Sequence, residues 1–378
     1  MSAARPLSAL VLAALAAAGV TTTPAATATT TPAVADGLLR PDTDQVALAR
    51  GLLQEKRLTE APGGSPLVER VAGANRYETA AELSRFWDEV VYVEAPWTRR
   101  LVVVASGENY ADALSGGAHA GALTSPVLLT RKDSLPSATR AALERLQPLT
   151  IILLGGPGAV SREVETALQS YLPRGEVVRR FGGPDRYVVS ASLASSWGQS
   201  DLAFVASGVT WPDGLSGGAA AAWEGAPLLL SKPGDVPSEV MRSLRDDVRP
   251  EHIVVLGGAA SLDAAVVREL ESVAPVTRIA GRNRFETAAA LAQASPGHGG
   301  ATVASGYDWP DALVGAAYAG ILGDKLLLVT PTGVPSSTAQ TVTGLNLVWI
   351  TALGGQGSIP EPVLDQLRGL GVEEPPAP

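Results

Sequence analysis

One passage is spelled three times along this chain, and that repetition limits what the chain can fold into more than any other feature. RVAGANRYETA at Arg70–Ala80 returns as RFGGPDRYVVSA at Arg180–Ala191 and as RIAGRNRFETA at Arg278–Ala288. Each copy is followed by VASGENYADALSGG, VASGVTWPDGLSGG or VASGYDWPDALVGA, and then by ILLGGPGAVS, VVLGGAASLD or ITALGGQGSIP. A unit repeated at a fixed period reads as one supersecondary block whose copies pack on each other, so a residue kept in all three belongs to the block's design. Arg76 and Arg186 stand 110 positions apart, Arg186 and Arg284 only 98. The surplus lies before the VASG motif of copy one, an insertion of about nine residues between Phe86 and Arg100, where Pro96 interrupts the pattern.

The units read as α/β. LVVVAS (Leu101–Ser106), PVLLT (Pro126–Thr130) and TIILLGG (Thr150–Gly156) are short apolar runs ending in Gly, Ser or Thr, as strands buried on both faces do. Between them lie helix signals. Asn75, Asp185 and Asn283 stand at N-cap positions, Pro136 and Pro237 suit a first turn, and Ser161 and Ser261 precede EVETALQSYL and AAVVRELESV. Strands alternating with helices across short loops predict three tandem small doubly wound parallel sheets. The helix after each VASG loop is made of small residues (ALSGGAHAGAL, GLSGGAAAAW, ALVGAAYAGIL), although interior Gly costs about 1 kcal/mol against Ala. That predicts a packing seam, against the sheet or against a neighbouring unit.

The first residues, MSAARPLSALVLAALAAAGV, carry Arg5, an apolar run too short for a comfortable membrane span, and then small residues. They read as a secretory signal peptide, 1–28 with cleavage as late as 35, so the expected location is outside the cell. Residues 36–66 read as an N-terminal stalk and 371–378 as a loose tail, with repeats at 67–174, 175–274 and 275–370. The chain has no Cys, which removes thiol chemistry, disulfides and thiolate metal sites. Its net charge of −9 leaves no general electrostatic grip on nucleic acid or an anionic membrane, so an anionic ligand needs a local cluster of cations.

Four triplets of polar or aromatic residues are the candidate ligand-binding set. Arg76, Arg186 and Arg284 head a helix, where a cation opposes the macrodipole, so helix stability does not explain them. They either pair with Asp112, Asp213 and Asp311 to hold the units together, the reading favoured by the residues alone, or offer guanidinium forks to a carboxylate or phosphate. The three Asp are expected in a first helical turn. Tyr110, Trp211 and Trp309 beside them are either helix staples or rings on which a sugar stacks. Ser106, Ser207 and Ser305, each followed by Gly at a strand's C-terminal end, occupy the edge where open α/β sheets bind ligands. With the Gly155, Gly257 and Gly354 turns they are candidates to present backbone N–H groups to an anion. No catalytic residue, metal site or cofactor is expected. His119 aligns with Ala220 and Tyr318, and no Ser-His-Asp set, paired His ligands or P-loop appears.

RVAGANRYETAAELS, VVVASGENYADALSGGAHAG, PVLLT and ILLGGPGAVS closely resemble the cell-wall-binding repeat family of type 2, and the resemblance runs from about Leu67 to Leu370 in three ordered copies. It implies a surface or secreted protein of Gram-positive bacteria, held non-covalently to the wall by an anionic secondary wall polymer, with three α/β units around a pseudo-three-fold axis. The alternative class is an enzyme or modifier of a peptidoglycan hydrolase, of the amidase-enhancer type. Val314 replaces Ser115 and Ser216 in copy three, Phe285 replaces Tyr, and copy two has VVS for ETA. These departures predict three sites that are not equivalent.

Overall fold

A computed structural model describes residues 46–53, 64–94, 100–110, 112–295 and 299–371. The expected signal peptide, much of the 36–66 stalk, the Pro96 region and nearly all of the tail lie outside them.

Among the described residues, twelve parallel strands form three sheets of four. In chain order they are β1 (Leu67–Val71), β2 (Leu101–Ser106), β3 (Val127–Thr130), β4 (Thr150–Leu154), β5 (Arg179–Phe181), β6 (Leu202–Ser207), β7 (Leu228–Ser231), β8 (His252–Leu256), β9 (Val276–Ile279), β10 (Gly300–Ser305), β11 (Lys325–Val329) and β12 (Trp349–Leu353). The central strands are buried along their whole length, as their apolar runs require.

Sheets and sequence repeats are out of phase. The sheet orders are β3-β2-β4-β5, β7-β6-β8-β9 and β1-β12-β10-β11. Each sheet takes its fourth strand from the head of the next repeat, and the first repeat's own head strand crosses the molecule to complete the third sheet. Leu67 lies opposite Trp349 and Val71 opposite Leu353, so the two ends of the repeat array are stitched in one ladder. The ring is thereby closed.

A second triplet of arginines locks each borrowed strand. Arg70 donates to the Gly354 and Ile359 carbonyls (2.6 and 2.8 Å), Arg180 to those of Gly155 and Val160 (2.7 and 2.9 Å), and Arg278 to those of Gly257 and Leu262. In each case the fork spans the glycine turn that follows the adjacent strand, so strand and turn are held as one piece.

The small-residue helices Leu114–Ala122, Pro212–Glu224 and Pro310–Leu322 pack pairwise on one another, each touching both others, which defines the pseudo-three-fold axis. The expected seam faces both ways. Gly116, Gly217 and Gly315 lie against Leu154, Leu256 and Leu353 of their sheets, whereas Gly121 and Gly320 lie against the neighbouring helices. A Cβ built on Gly121 would stand 2.8 Å from the Ala222 Cβ and 2.9 Å from the Ala317 carbonyl oxygen.

Outside the axis, Trp87 and Trp197, each eleven positions after its head arginine, meet Tyr318 and His119 edge-on at the unit boundaries. His119 is buried, and burial pushes its pKa down to about 4, so it is a neutral packing ring. The insertion in copy one begins as a π-helical turn, Trp87–Val91, with the Trp87 indole donating to the Thr124 carbonyl at 2.8 Å. At the far end of the axis, residues 46–53 are helical. Arg50 there donates to the carbonyls of Ala222 and Trp223 (2.7 and 2.8 Å) and stacks on the Trp223 ring.

Candidate functional site

All three sheets are doubly wound. From β2 the chain moves to β3 on one side and then to β4 on the other, which opens a crevice between β2 and β4 at the C-terminal edge, the place where such sheets bind ligands. The helix that heads each repeat packs on that repeat's own sheet, Arg76–Leu83 on β3, Arg186–Trp197 on β7 and Arg284–Ala294 on β11. Its first residue, the arginine, reaches the aromatic ring of the preceding unit, so each crevice is closed from the next repeat. The candidate site is therefore a set of three crevices between units.

The head helices start where the sequence says. Asn75, Asp185 and Asn283 accept hydrogen bonds from the backbone N–H groups two and three residues on, at 2.9–3.1 Å. This cap puts the arginine at the first helical position. Tyr77, Tyr187 and Phe285 next to it pack on Gly107, Gly208 and Gly306 and set the helix against the Ser-Gly turn. The later caps differ from expectation. Pro136 and Pro237 sit one position ahead of their helices, and Asp263, not Ser261, caps Ala264–Glu271. Ser261 is engaged elsewhere.

Each head arginine spans two units. Arg76 donates to the Gly107 carbonyl at 2.6 Å, and its guanidinium lies 5.4 Å from the centre of the Trp309 ring in the third unit. Arg186 donates to the Gly208 carbonyl and lies 5.4 Å from Tyr110 of the first unit; Arg284 donates to the Gly306 carbonyl and lies 5.2 Å from Trp211 of the second. Three cation–π contacts thus run cyclically around the axis, each worth about 0.5–1 kcal/mol or more when desolvated. Tyr110 and Trp309 approach edge to face at 6.0 Å, and the Tyr110 hydroxyl donates to the Val209 carbonyl at 2.9 Å, which ties the rings into one patch. Beyond one carbonyl each, and the Tyr110 hydroxyl at 3.4 Å from Arg186, the head guanidiniums make no hydrogen bond among the described residues. The rest of each fork is open.

The ion pair expected from the residues alone is not formed. Among the described residues, no contact within 4 Å joins Arg76, Arg186 or Arg284 to Asp112, Asp213 or Asp311. At longer range Arg186 acts on Asp112 and Arg76 on Asp311, in each case the carboxylate of the preceding unit. The reason is ring closure, which sets each arginine over the preceding unit. The aromatic residues are likewise neither simple staples nor bare platforms, since each half-buried ring carries a neighbour's guanidinium.

The aspartates sit inside the crevices. Asp213 and Asp311 are 8% and 7% exposed in the first turn of their helices; Asp213 accepts from the Ser261 hydroxyl at 3.0 Å and Asp311 from Ser358 at 3.5 Å. Burial, aided by nearby Asp308, raises the Asp311 pKa to about 6 against the hydrogen bond from Ser358 and the charge of Arg76. Burial also raises that of Asp112, opposed by Arg186. The facing turns open on Gly155, Gly257 and Gly354 at φ between +91° and +114°, and the carboxylates press on them so closely that no side chain fits.

Ser106, Ser207 and Ser305 are buried, and their hydroxyls accept from the loop N–H groups two residues on (3.1–3.2 Å), the first two also from the third. Of the glycine N–H groups considered as anion donors, those of Gly107, Gly208 and Gly306 bond strand carbonyls at 2.8 Å, and the first glycines of the later turns, Gly155, Gly257 and Gly354, bond the carbonyls of Phe181, Ile279 and Val71. The serines and glycines shape the loops, while the arginines, rings and Asp112 face the crevice. Sequence reasoning missed Arg70, Arg180 and Arg278, which carry the same triplication as the head arginines.

A ring of three doubly wound units with repeated cationic and aromatic crevices defines a repeat-built binding protein. The chain belongs to the family described as Cell wall binding domain 2 (CWB2), whose model matches residues 70–165, 180–267 and 278–364. It is 29% identical over 279 residues to the amidase enhancer of Bacillus subtilis (strain 168), spanning 73% of this chain and 36% of that protein. It is 28% identical over 308 residues to the N-acetylmuramoyl-L-alanine amidase LytC of the same organism, spanning 81% and 59%. Among solved structures, Cwp6 from Clostridium difficile superimposes with a TM-score of 0.73 at 24% identity, covering 83% of this chain and 49% of that one. Cwp8 from Clostridium difficile gives 0.67 at 25%, covering 79% and 51%. The chain thus spans between about a third and three fifths of the length of these relatives.

Proposed function

We propose that this protein is an exported, non-catalytic wall anchor that grips an anionic secondary cell-wall polymer at the three inter-unit crevices. One observation carries the reading: a chain of net charge −9 places three half-buried guanidiniums on aromatic rings at one end of its axis, each with most of its donors unspent. A guanidinium presents a rigid fork to phosphate or carboxylate, and a ring beneath it keeps it extended at little entropic cost. The site residues of this reading are Arg76, Arg186 and Arg284, with Tyr110, Trp211 and Trp309 as their supports. Asp112, Asp213 and Asp311 line the floor.

A second reading, a partner or modifier of a peptidoglycan hydrolase, is supported by the amidase enhancer and the amidase among the relatives, both longer than this chain. The two are compatible, because an anchor delivers whatever accompanies it to the wall. The test of the anionic ligand is co-sedimentation with isolated Gram-positive cell walls across a salt series. Apparent affinity is expected to fall about tenfold or more between about 0.1 and 1 M salt, as the screening length contracts from about 10 to 3 Å. Affinity independent of salt would exclude charge as the grip.

A further inference from the structure

The three crevices carry the same parts with one systematic exception. In the second and third, a serine hydroxyl occupies the carboxylate: Ser261 on Asp213 and Ser358 on Asp311. The same position in the first crevice, four residues after the first glycine of the turn, is Ala159. Its Cβ stands 3.0 Å from where a Cβ on Gly155 would lie, against 3.1 Å for Ser261 and 3.0 Å for Ser358 in their turns, so the Cβ is placed alike and the hydroxyl is missing. Among the described residues, Asp112 accepts no hydrogen bond, although it presses on Gly155 as its siblings press on theirs.

Two further differences open the same crevice. Copy one has Ala111 where the others have Pro212 and Pro310 at the first helical position, and its helix begins at Leu114, three positions later. Asp112 accordingly precedes the helix and is half-buried, where Asp213 and Asp311 are buried. The ring beside it is Tyr110 in place of tryptophan, pulled toward the second unit by its hydrogen bond to Val209. Among the described residues, a carboxylate with an open acceptor, a guanidinium with open donors and an aromatic edge meet in this crevice alone.

We infer that the crevice between the first and second units, unlike its siblings, takes a neutral hydroxyl of the glycan on the Asp112 carboxylate, with Arg186 holding the adjacent acidic group. The inference rests on the wall-polymer reading and deepens it: the first crevice reads a sugar hydroxyl beside a negative charge, whereas the other two satisfy their carboxylates internally and read the charge alone. Asp112 and Ala159 are then the specificity-determining pair.

The test is Ala159→Ser in the full chain, alongside Asp112→Asn and the control Gln340→Ala on an exposed helix position away from the crevices, each measured by co-sedimentation with isolated Gram-positive cell walls at fixed salt. A hydrogen bond to a charged acceptor supports about tenfold or more in affinity. Ala159→Ser and Asp112→Asn are each expected to lose that factor, while Gln340→Ala stays within about twofold of wild type. Carboxylate titration by NMR shows whether the new hydroxyl has reached its target, since it lowers the Asp112 pKa. If that pKa falls and wall binding is unchanged, the open acceptor is only a hydration site and the inference fails. If the wild-type protein does not sediment with walls at all, the wall-polymer reading and this inference fall together.

Discussion

Replacing Arg76, Arg186 and Arg284 together with glutamine is expected to weaken wall binding by more than about 100-fold while leaving a folded ring. Each substitution removes a charge-assisted interaction worth about tenfold or more, and a polymer that engages more than one crevice multiplies the losses. The structural cost is smaller. Each arginine gives up a cation–π contact and one hydrogen bond to a carbonyl, about 1–2 kcal/mol together. These residues form no direct salt bridge with an aspartate, so their removal breaks no buried ion pair, the usual source of collapse; Asp112 and Asp311 lose only the longer-range charge of Arg186 and Arg76. Circular dichroism and the melting temperature separate the outcomes. A triple variant that binds walls like wild type would show the arginines to be rivets between units and nothing more.

Gly121→Val is expected to act in the opposite sense, breaking the ring with every crevice residue intact. Its side chain would enter a space already held by the Ala222 Cβ and by the Ala317 backbone, and backbone on a packed helix cannot move aside as a flexible side chain can. Overpacking of this kind costs about 3 kcal/mol or more, so the melting temperature should fall by at least about 6 °C. Gly158, where an added methyl group would meet nothing within 4 Å, is the control: Gly158→Ala should leave the melting temperature within about 1 °C. Equal melting of Gly121→Val and wild type would mean that the axis helices are not closely packed. Wall binding in the valine variant should fall with the fold, since the crevices exist only between docked units.

The parts of this molecule that depend on local chemistry were legible in its sequence. The apolar runs became buried strands, Asn75, Asp185 and Asn283 became caps, and the Ala/Gly helices became the seam. What could not be read was which copy each part serves. Three near-identical copies carry no mark that says whether a head strand pairs within its own repeat or the previous one, and the sheets choose the previous one. Every arginine contact follows from that choice. The expected pairing of Arg76, Arg186 and Arg284 with Asp112, Asp213 and Asp311 did not say which aspartate each arginine would meet, and the ring sets Arg76 near Asp311 and Arg186 near Asp112 without a salt bridge. The Ser261 cap failed for a similar reason, since the Asp213 carboxylate competes for its hydroxyl and Asp263 is equally suited to capping. Arg70, Arg180 and Arg278 were visible as a triplet, but their partners are backbone carbonyls, which leave no trace in side-chain patterns.

The asymmetry between crevices was partly legible as well. The departures noticed in the sequence, Val314 and Phe285, fall on buried or loop-packing positions, whereas the one that alters a carboxylate, Ala159, lies in a turn that looks ordinary until Asp112 is seen against it.

The most direct test of the wall-anchor function is co-sedimentation of the full chain with native Gram-positive walls and with the same walls stripped of secondary polymer. Saturable binding to native walls that disappears on stripping is the expected result, because the proposed grip is the open guanidinium forks on the negative charges of the polymer. Undiminished binding to stripped walls would contradict it and place the ligand in peptidoglycan itself.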